Sequence, residues 1–244
     1  MVTTLPRDTH ATLPTRSLRI GLALFLLIEA LLAFAPVAIL GPAIGWPASL
    51  RNPAAQQLTA IAAAPNALAL GYGLYLLYSL AIAPVAIFVA WRVSGPAGLK
   101  APLAALAVTF GALSAFARAI GILRWLTVMP ALAVTYGVAD NATRSTIESL
   151  FNALNSYGGG IGELLGVALF GGLWLLFAMI AALRSKRLPR WLAGFGLIAA
   201  VLQLALFAPA VGLTSPVPAA IAVSVFALWL MAFAVQTLRT TANQ

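Results

Sequence analysis

Long apolar runs, separated by short stretches of polar residues, proline and glycine, organise the chain from end to end. The runs cover about residues 19–40, 67–91, 101–126, 158–183, 191–213 and 217–238. A helix rises about 1.5 Å per residue, so roughly 20 apolar residues cross a hydrocarbon core about 30 Å thick. The pattern therefore predicts an all-α polytopic bundle of six transmembrane helices. It forms one transmembrane domain over residues 1–244, with a polar tail at 1–18.

The breaks between runs carry their own signals. In the first run, Ala33-Phe34-Ala35 has the small-residue spacing of a signal-peptide cleavage site, but Pro36 follows directly and Glu29 interrupts the apolar region. Those two features predict a retained helix. Gly41 to Asn66 reads as a proline-containing loop with Trp46 at belt height, and Gln56 to Ala63 as a short helix lying on the membrane. Pro84, inside the second run, removes one backbone hydrogen bond and predicts a kink. Met129 to Tyr157 is the longest predicted loop. Within it Ile147, Leu150, Phe151 and Leu154 recur at helical spacing opposite Arg144 and Glu148, the pattern of an interfacial amphipathic helix.

Composition identifies the outer solvent. Of the 244 residues 62% are hydrophobic and 8% charged, whereas a soluble domain carries about 25% charged residues. Too few charges remain to build a water-exposed surface, so lipid surrounds the bundle and membrane lipids are its first partners. A net charge of +9 is explained by orientation: Lys and Arg collect in cytoplasmic loops. No nucleic acid is expected, because no basic helix or RNA-binding aromatic motif accompanies the charge. Ten of the 14 Lys and Arg fall at the N-terminal segment, Arg92 to Lys100, Arg184 to Arg190 and the C-terminal end. All four lie on one side of a six-span topology, predicting a cell (inner) membrane protein with both termini cytoplasmic.

Cys is absent and His10, in the polar tail, is the single His. Disulfides, thiolate chemistry and His-ligated metal sites are thereby excluded, and no metal or cofactor is expected. Walker loops, nucleophile elbows and paired-carboxylate motifs are also missing.

The polar residues inside the runs are the candidates for function, because ionisable groups within a bilayer face the bundle interior, paired or lining a wet cavity. Counting from the basic turns places Glu29, Thr109 and Gln203 at roughly 15, 14 and 20 Å, so that they share one layer. Arg118 and Glu163 come to roughly 27 and 31 Å, predicting a pair near the outer face. That pair reads either as a structural tie or as part of a functional site. Tyr72, Tyr75 and Tyr78 recur every three residues and line the same outward pocket, or else anchor the helix at the interface. Arg124 reads as an ordinary interfacial residue whose stem lies along apolar surface. Gly158, Gly162 and Gly166, each four apart, give the fourth helix a smooth face for close helix packing.

Arg184, Lys186, Arg187 and Arg190 attract anionic head groups, Trp191 sits at the interface, and Pro189 starts the fifth helix. The same stretch, Ser185-Lys186-Arg187-Leu188-Pro189-Arg190-Trp191-Leu192-Ala193-Gly194-Phe195-Gly196, resembles the signature loop of a bacterial multi-pass membrane family known as a domain of unknown function, family 4386. Length and span number agree with that family over most of the chain. The resemblance implies an Arg in the third span, matched by Arg118, and a Glu three residues later, where this sequence has Gly121. Glu163 is the candidate to replace that acid. The resemblance implies no established activity.

Three functional readings follow. The first is a non-enzymatic binding or transport protein whose outward cavity, near Arg118, Glu163 and Tyr75, admits an amphiphilic or anionic small molecule. The second is a membrane enzyme acting on a lipid-like substrate, with Glu29 or Glu163 as general acid or base. The third is a structural or regulatory subunit working through partner helices. Oligomeric state is left open.

Overall fold

The computed structural model describes residues 16–239, apart from the side chains at 95–97. The polar tail before residue 16, with His10, and residues 240–244 fall outside them. Ten α-helices build the described chain: α1 (Arg16–Leu32), α2 (Ala35–Ile44), α3 (Ala54–Ala63), α4 (Pro65–Val93), α5 (Pro102–Leu126), α6 (Val128–Val138), α7 (Asn141–Gly159), α8 (Gly171–Ser185), α9 (Arg190–Ala205) and α10 (Ala219–Arg239). A π-helical segment, Gly160–Phe170, joins α7 to α8 without a break.

Among the described residues five helical stretches are long and apolar enough to cross a membrane: Arg16–Ile44, Pro65–Val93, Pro102–Val138, Asn141–Ser185 and Ala219–Arg239. Leu24, Ile28, Leu77, Phe116, Ile198 and Leu228 lie exposed on the outside of this bundle. Burial of apolar surface is the chief stabilising term in water, so side chains left outward in this way belong in contact with lipid. The chain is an integral membrane protein.

Several boundaries differ from the sequence expectation. The first run is divided at Ala33-Phe34, because Pro36 has no N–H to donate and its ring crowds the carbonyl four residues earlier. The second helix runs uninterrupted through Pro84, which faces outward. The expected span at 191–213 is a shorter apolar helix of 16 residues that gives way to a 3₁₀ turn at Ala208–Val211. Met129 to Tyr157 is not a loop. Its residues continue α5 beyond a break at Thr127 as α6, then return as α7. The expected interfacial helix is thus the beginning of a rod of 45 residues, Asn141–Ser185. At about 1.5 Å per residue that rod spans roughly 65 Å, twice a hydrocarbon core, so it projects past the bilayer.

Two cores hold the molecule together. The larger is centred on Trp174, Trp229, Phe226, Phe233 and Val85; the Trp229 indole donates to the Leu192 carbonyl at 3.2 Å. A smaller core joins Leu40, Leu58, Tyr72, Trp125, Met129 and Phe151. It makes α2, α3, α6 and the start of α7 a packed cap over the ends of α4 and α5. The opposite end carries the basic loops, where Arg92 and Arg187 come within electrostatic reach of each other.

Asp140 caps α7: its carboxylate accepts from the Thr143 N–H at 2.8 Å, satisfying one of the orphan donors of a helix start. That bond holds the Asp140 carboxyl below the usual carboxylate range. A lowered value contributes stability above the unfolded-state range and loses it as pH falls through the folded value. Acidification is therefore expected to fray the α7 start, and Asp140→Ala to do so at neutral pH. Faster hydrogen exchange at Thr143 and Arg144 is the readout; unchanged exchange would discount the cap.

Candidate functional site

Glycines position the site. Gly158, Gly162 and Gly166 face α5 in antiparallel register, opposite Arg124, Gly121 and Arg118 in turn. A Cβ added to Gly121 would lie 2.6 Å from the Gly162 Cα, and one added to Gly166 would lie 2.9 Å from both the Arg118 nitrogen and its Cγ. The two backbones touch, which is how helices associate where hydrophobicity gives no preference for protein over lipid. Ser114, one turn before Arg118, donates to the Gly166 carbonyl at 2.7 Å and ties α5 to the π-helical segment. Segments of this kind recur at functional sites because they widen the helix locally.

Between the cap and these helices lies a cavity with about 40 Å³ of free volume. One water needs about 10–15 Å³ by the same measure, so the space suits about three waters or one small polar group. Arg118, Arg124, Glu163, Tyr72, Tyr75 and Trp46 supply its polar and aromatic lining, and Ile122, Trp125 and Val167 its apolar walls. Tyr72 stacks on Trp125 with centroids 5.0 Å apart, and Trp46 meets Tyr75 edge-on at 6.1 Å. Glu163 is exposed and marks the open side.

Arg118 is only 4% exposed. Its Nη1 donates to the Tyr78 hydroxyl at 3.5 Å, the guanidinium lies 5.8 Å from that ring's centroid, and Nε meets no acceptor. Arg124 donates to the Gly121 carbonyl and, at 3.3 Å, to Asn155; its Nε is likewise unmet. The Tyr72 hydroxyl faces the Trp46 indole without reaching hydrogen-bond geometry.

The expected Arg118–Glu163 ion pair does not form among the described residues. Arg118 interacts electrostatically with Glu29, and Glu163 with Arg124. The cause is angular. Gly162 and Gly166 turn toward α5, so Glu163, one residue on from Gly162, is rotated about a quarter turn away.

Glu29 is 1% exposed and neither carboxyl oxygen has a partner. Gln203 is buried beside Arg118: a Cβ on Gly171 would lie 2.6 Å from Gln203 Oε1 and 3.0 Å from Arg118 Nη2. Thr109 is exposed, so it leaves the layer predicted for it with Glu29 and Gln203. Height along α5 was the basis of that grouping, and Thr109 lies on the lipid-facing side of the helix.

The family model described as Domain of unknown function (DUF4386) matches residues 20–234. The chain belongs to the DUF4386 family. No curated protein and no solved structure matches it. In this DUF4386 protein the loop between α8 and α9 exposes Arg184, Lys186, Arg187, Arg190 and Trp191 while Leu188 is buried; Pro189 precedes α9. The loop and the cavity lie at opposite ends of the bundle. Gly121 admits no side chain of any size in this DUF4386 protein, since Gly162 occupies the space. On α5, Gly121, Ile122, Arg124 and Trp125 line the cavity without having been assigned to it by sequence reasoning. A helical reading from Arg118 offered a signal, because 118, 121, 122 and 125 share one face.

Proposed function

We propose that the protein crosses the cell membrane six times with both termini cytoplasmic, and that its cavity binds the oxyanion of a small amphiphile without covalent chemistry. The ligand class is a carboxylate or phosphate head on an apolar stem. One observation carries this reading: two buried guanidinium Nε donors, on Arg118 and Arg124, lack acceptors and belong to residues lining one small cavity. Unmet buried donors are costly, and guanidinium geometry matches carboxylate and phosphate oxygens. Glu163 at the open side biases against ligands with several negative charges. Ile122, Val167 and the stacked Tyr72–Trp125 pair offer an apolar path for the stem. The basic end, far from the cavity, accounts for orientation by attracting anionic cytoplasmic lipid.

Octanoate binding to the purified protein in nanodiscs, followed by tryptophan fluorescence against empty discs, tests the proposal. Arg118→Ala and Arg124→Ala are each expected to weaken binding at least about tenfold, the value of one charge-assisted hydrogen bond. A trimethylammonium amphiphile of equal chain length is expected not to compete. Wild-type affinity in both variants, or equal binding of the cation, would overturn the reading.

A further inference from the structure

We infer that Glu29 is a proton-binding site coupled through Arg118 to the cavity, so that an anion entering the cavity draws one proton onto Glu29. The inference rests on the anion-binding reading above and gives it a co-substrate, the proton.

Glu29 sits on α1 among Leu26, Ala30 and Tyr78 of the main core, with both oxygens unpartnered. A carboxylate so placed keeps its charge only beside a cation. The groups around it are few. From α4 comes Tyr78, which interacts electrostatically with Glu29 and whose hydroxyl accepts from Arg118. From α5 comes Arg118, the one cation among the described residues that acts on Glu29. α10, which packs along α1, contains no ionisable residue before Arg239 at its end, and α2 contains none. α9 adds Gln203, a neutral amide beside Arg118. Arg124 and Glu163 interact with each other on the cavity side.

Arg118 therefore has one positive charge and two claimants. Its side chain lines the cavity and also faces Tyr78 and Glu29. With the cavity empty, Arg118 is the charge that favours an ionised Glu29 against the desolvation of a buried carboxyl. A bound anion adds one negative charge in a region of low dielectric, leaving Glu29 uncompensated. A proton taken from water onto a Glu29 oxygen restores neutrality. No other bond forms or breaks, and the anion stays non-covalently held. Anion and proton thus bind as a neutral unit, with Glu29 positioned to do this without touching the ligand.

The test titrates wild-type protein in nanodiscs with octanoate, in weakly buffered solution containing a pH indicator. The range runs from about pH 6 to about pH 9, where buried carboxyls are known to ionise. Uptake approaching one proton per octanoate is expected, with affinity rising about tenfold per unit fall in pH inside the coupled window. An infrared difference band from a newly protonated carboxyl accompanies binding. Glu29→Gln is expected to bind octanoate with neither proton uptake nor the band. Glu29→Asp, which keeps a titrating group, retains uptake with a displaced pH midpoint; an unmoved midpoint places the proton elsewhere and overturns the inference. Binding without uptake anywhere in the range, or undiminished uptake in Glu29→Gln, overturns the coupling and leaves the anion site standing. Failure of wild-type protein to bind octanoate overturns both.

Discussion

Gly121→Val is expected to destabilise the folded protein by about 3 kcal/mol, enough to remove most of it from the monodisperse peak after detergent extraction. The reason is the identity of the atoms in the way. A Cβ at position 121 would lie 2.6 Å from the Gly162 Cα, 2.9 Å from the Gly158 carbonyl oxygen and 3.0 Å from the Gly162 nitrogen. All three are backbone, and no side-chain rotation relieves them. α5 and the π-helical segment would have to separate, which also breaks the Ser114–Gly166 bond and moves the residues that line the cavity. Gly160 supplies the contrast. It lies in the same glycine-rich segment, but nothing falls within 4 Å of a Cβ placed there. Gly160→Ala is therefore expected to be neutral, or stabilising by about 0.5–1 kcal/mol through reduced backbone freedom in the unfolded chain. Thermal unfolding of the two variants in one detergent checks the pair. Equal stability would mean that the two helices do not approach as closely as described.

The helical membrane fold was legible because its signal is coarse: apolar runs of bilayer length with few charges leave few alternatives. What the pattern misjudged was its own edges. α7 carries Asn141, Ser145, Ser149 and Asn152 on its exposed side and Arg144 and Glu148 half-buried against Tyr136, so its polarity resembled a loop, while Ile147 and Phe151 were already anchoring it in the smaller core. The cavity was legible in part. Arg118, Glu163, Tyr72 and Tyr75 stand out as polar positions in apolar runs, and all four line it. Their partners were not legible, because helical rise gives height and says nothing of azimuth. Arg118 and Glu163 lie near each other, yet each interacts with a different ion. Thr109 fails for the same reason. Its height suggested company, and its face of α5 points away.

The second large effect concerns Arg118. Arg118→Leu is expected to cost about 3 kcal/mol, the lower end of the range for removing one of two compensating buried charges, because Arg118 and Glu29 interact through space and not by direct contact. The variant loses the bond to Tyr78 and leaves Glu29, whose oxygens have no hydrogen-bond partner, without the cation that acts on it through space. Replacing both members changes the outcome. In Arg118→Leu/Glu29→Leu neither charge remains in the core, and the loss is expected to be smaller than in Arg118→Leu alone by about 1–2 kcal/mol, since apolar replacement of a buried pair is often near neutral. Both leucines must still fit, so full recovery is not expected. The four proteins of this cycle, unfolded reversibly in mixed micelles, yield the interaction energy directly. A negative coupling of that size is specific to two groups that compensate each other. Strictly additive losses would mean that Arg118 holds its place through packing against Gly166 and Tyr78, and that Glu29 is carried by some other part of the bundle.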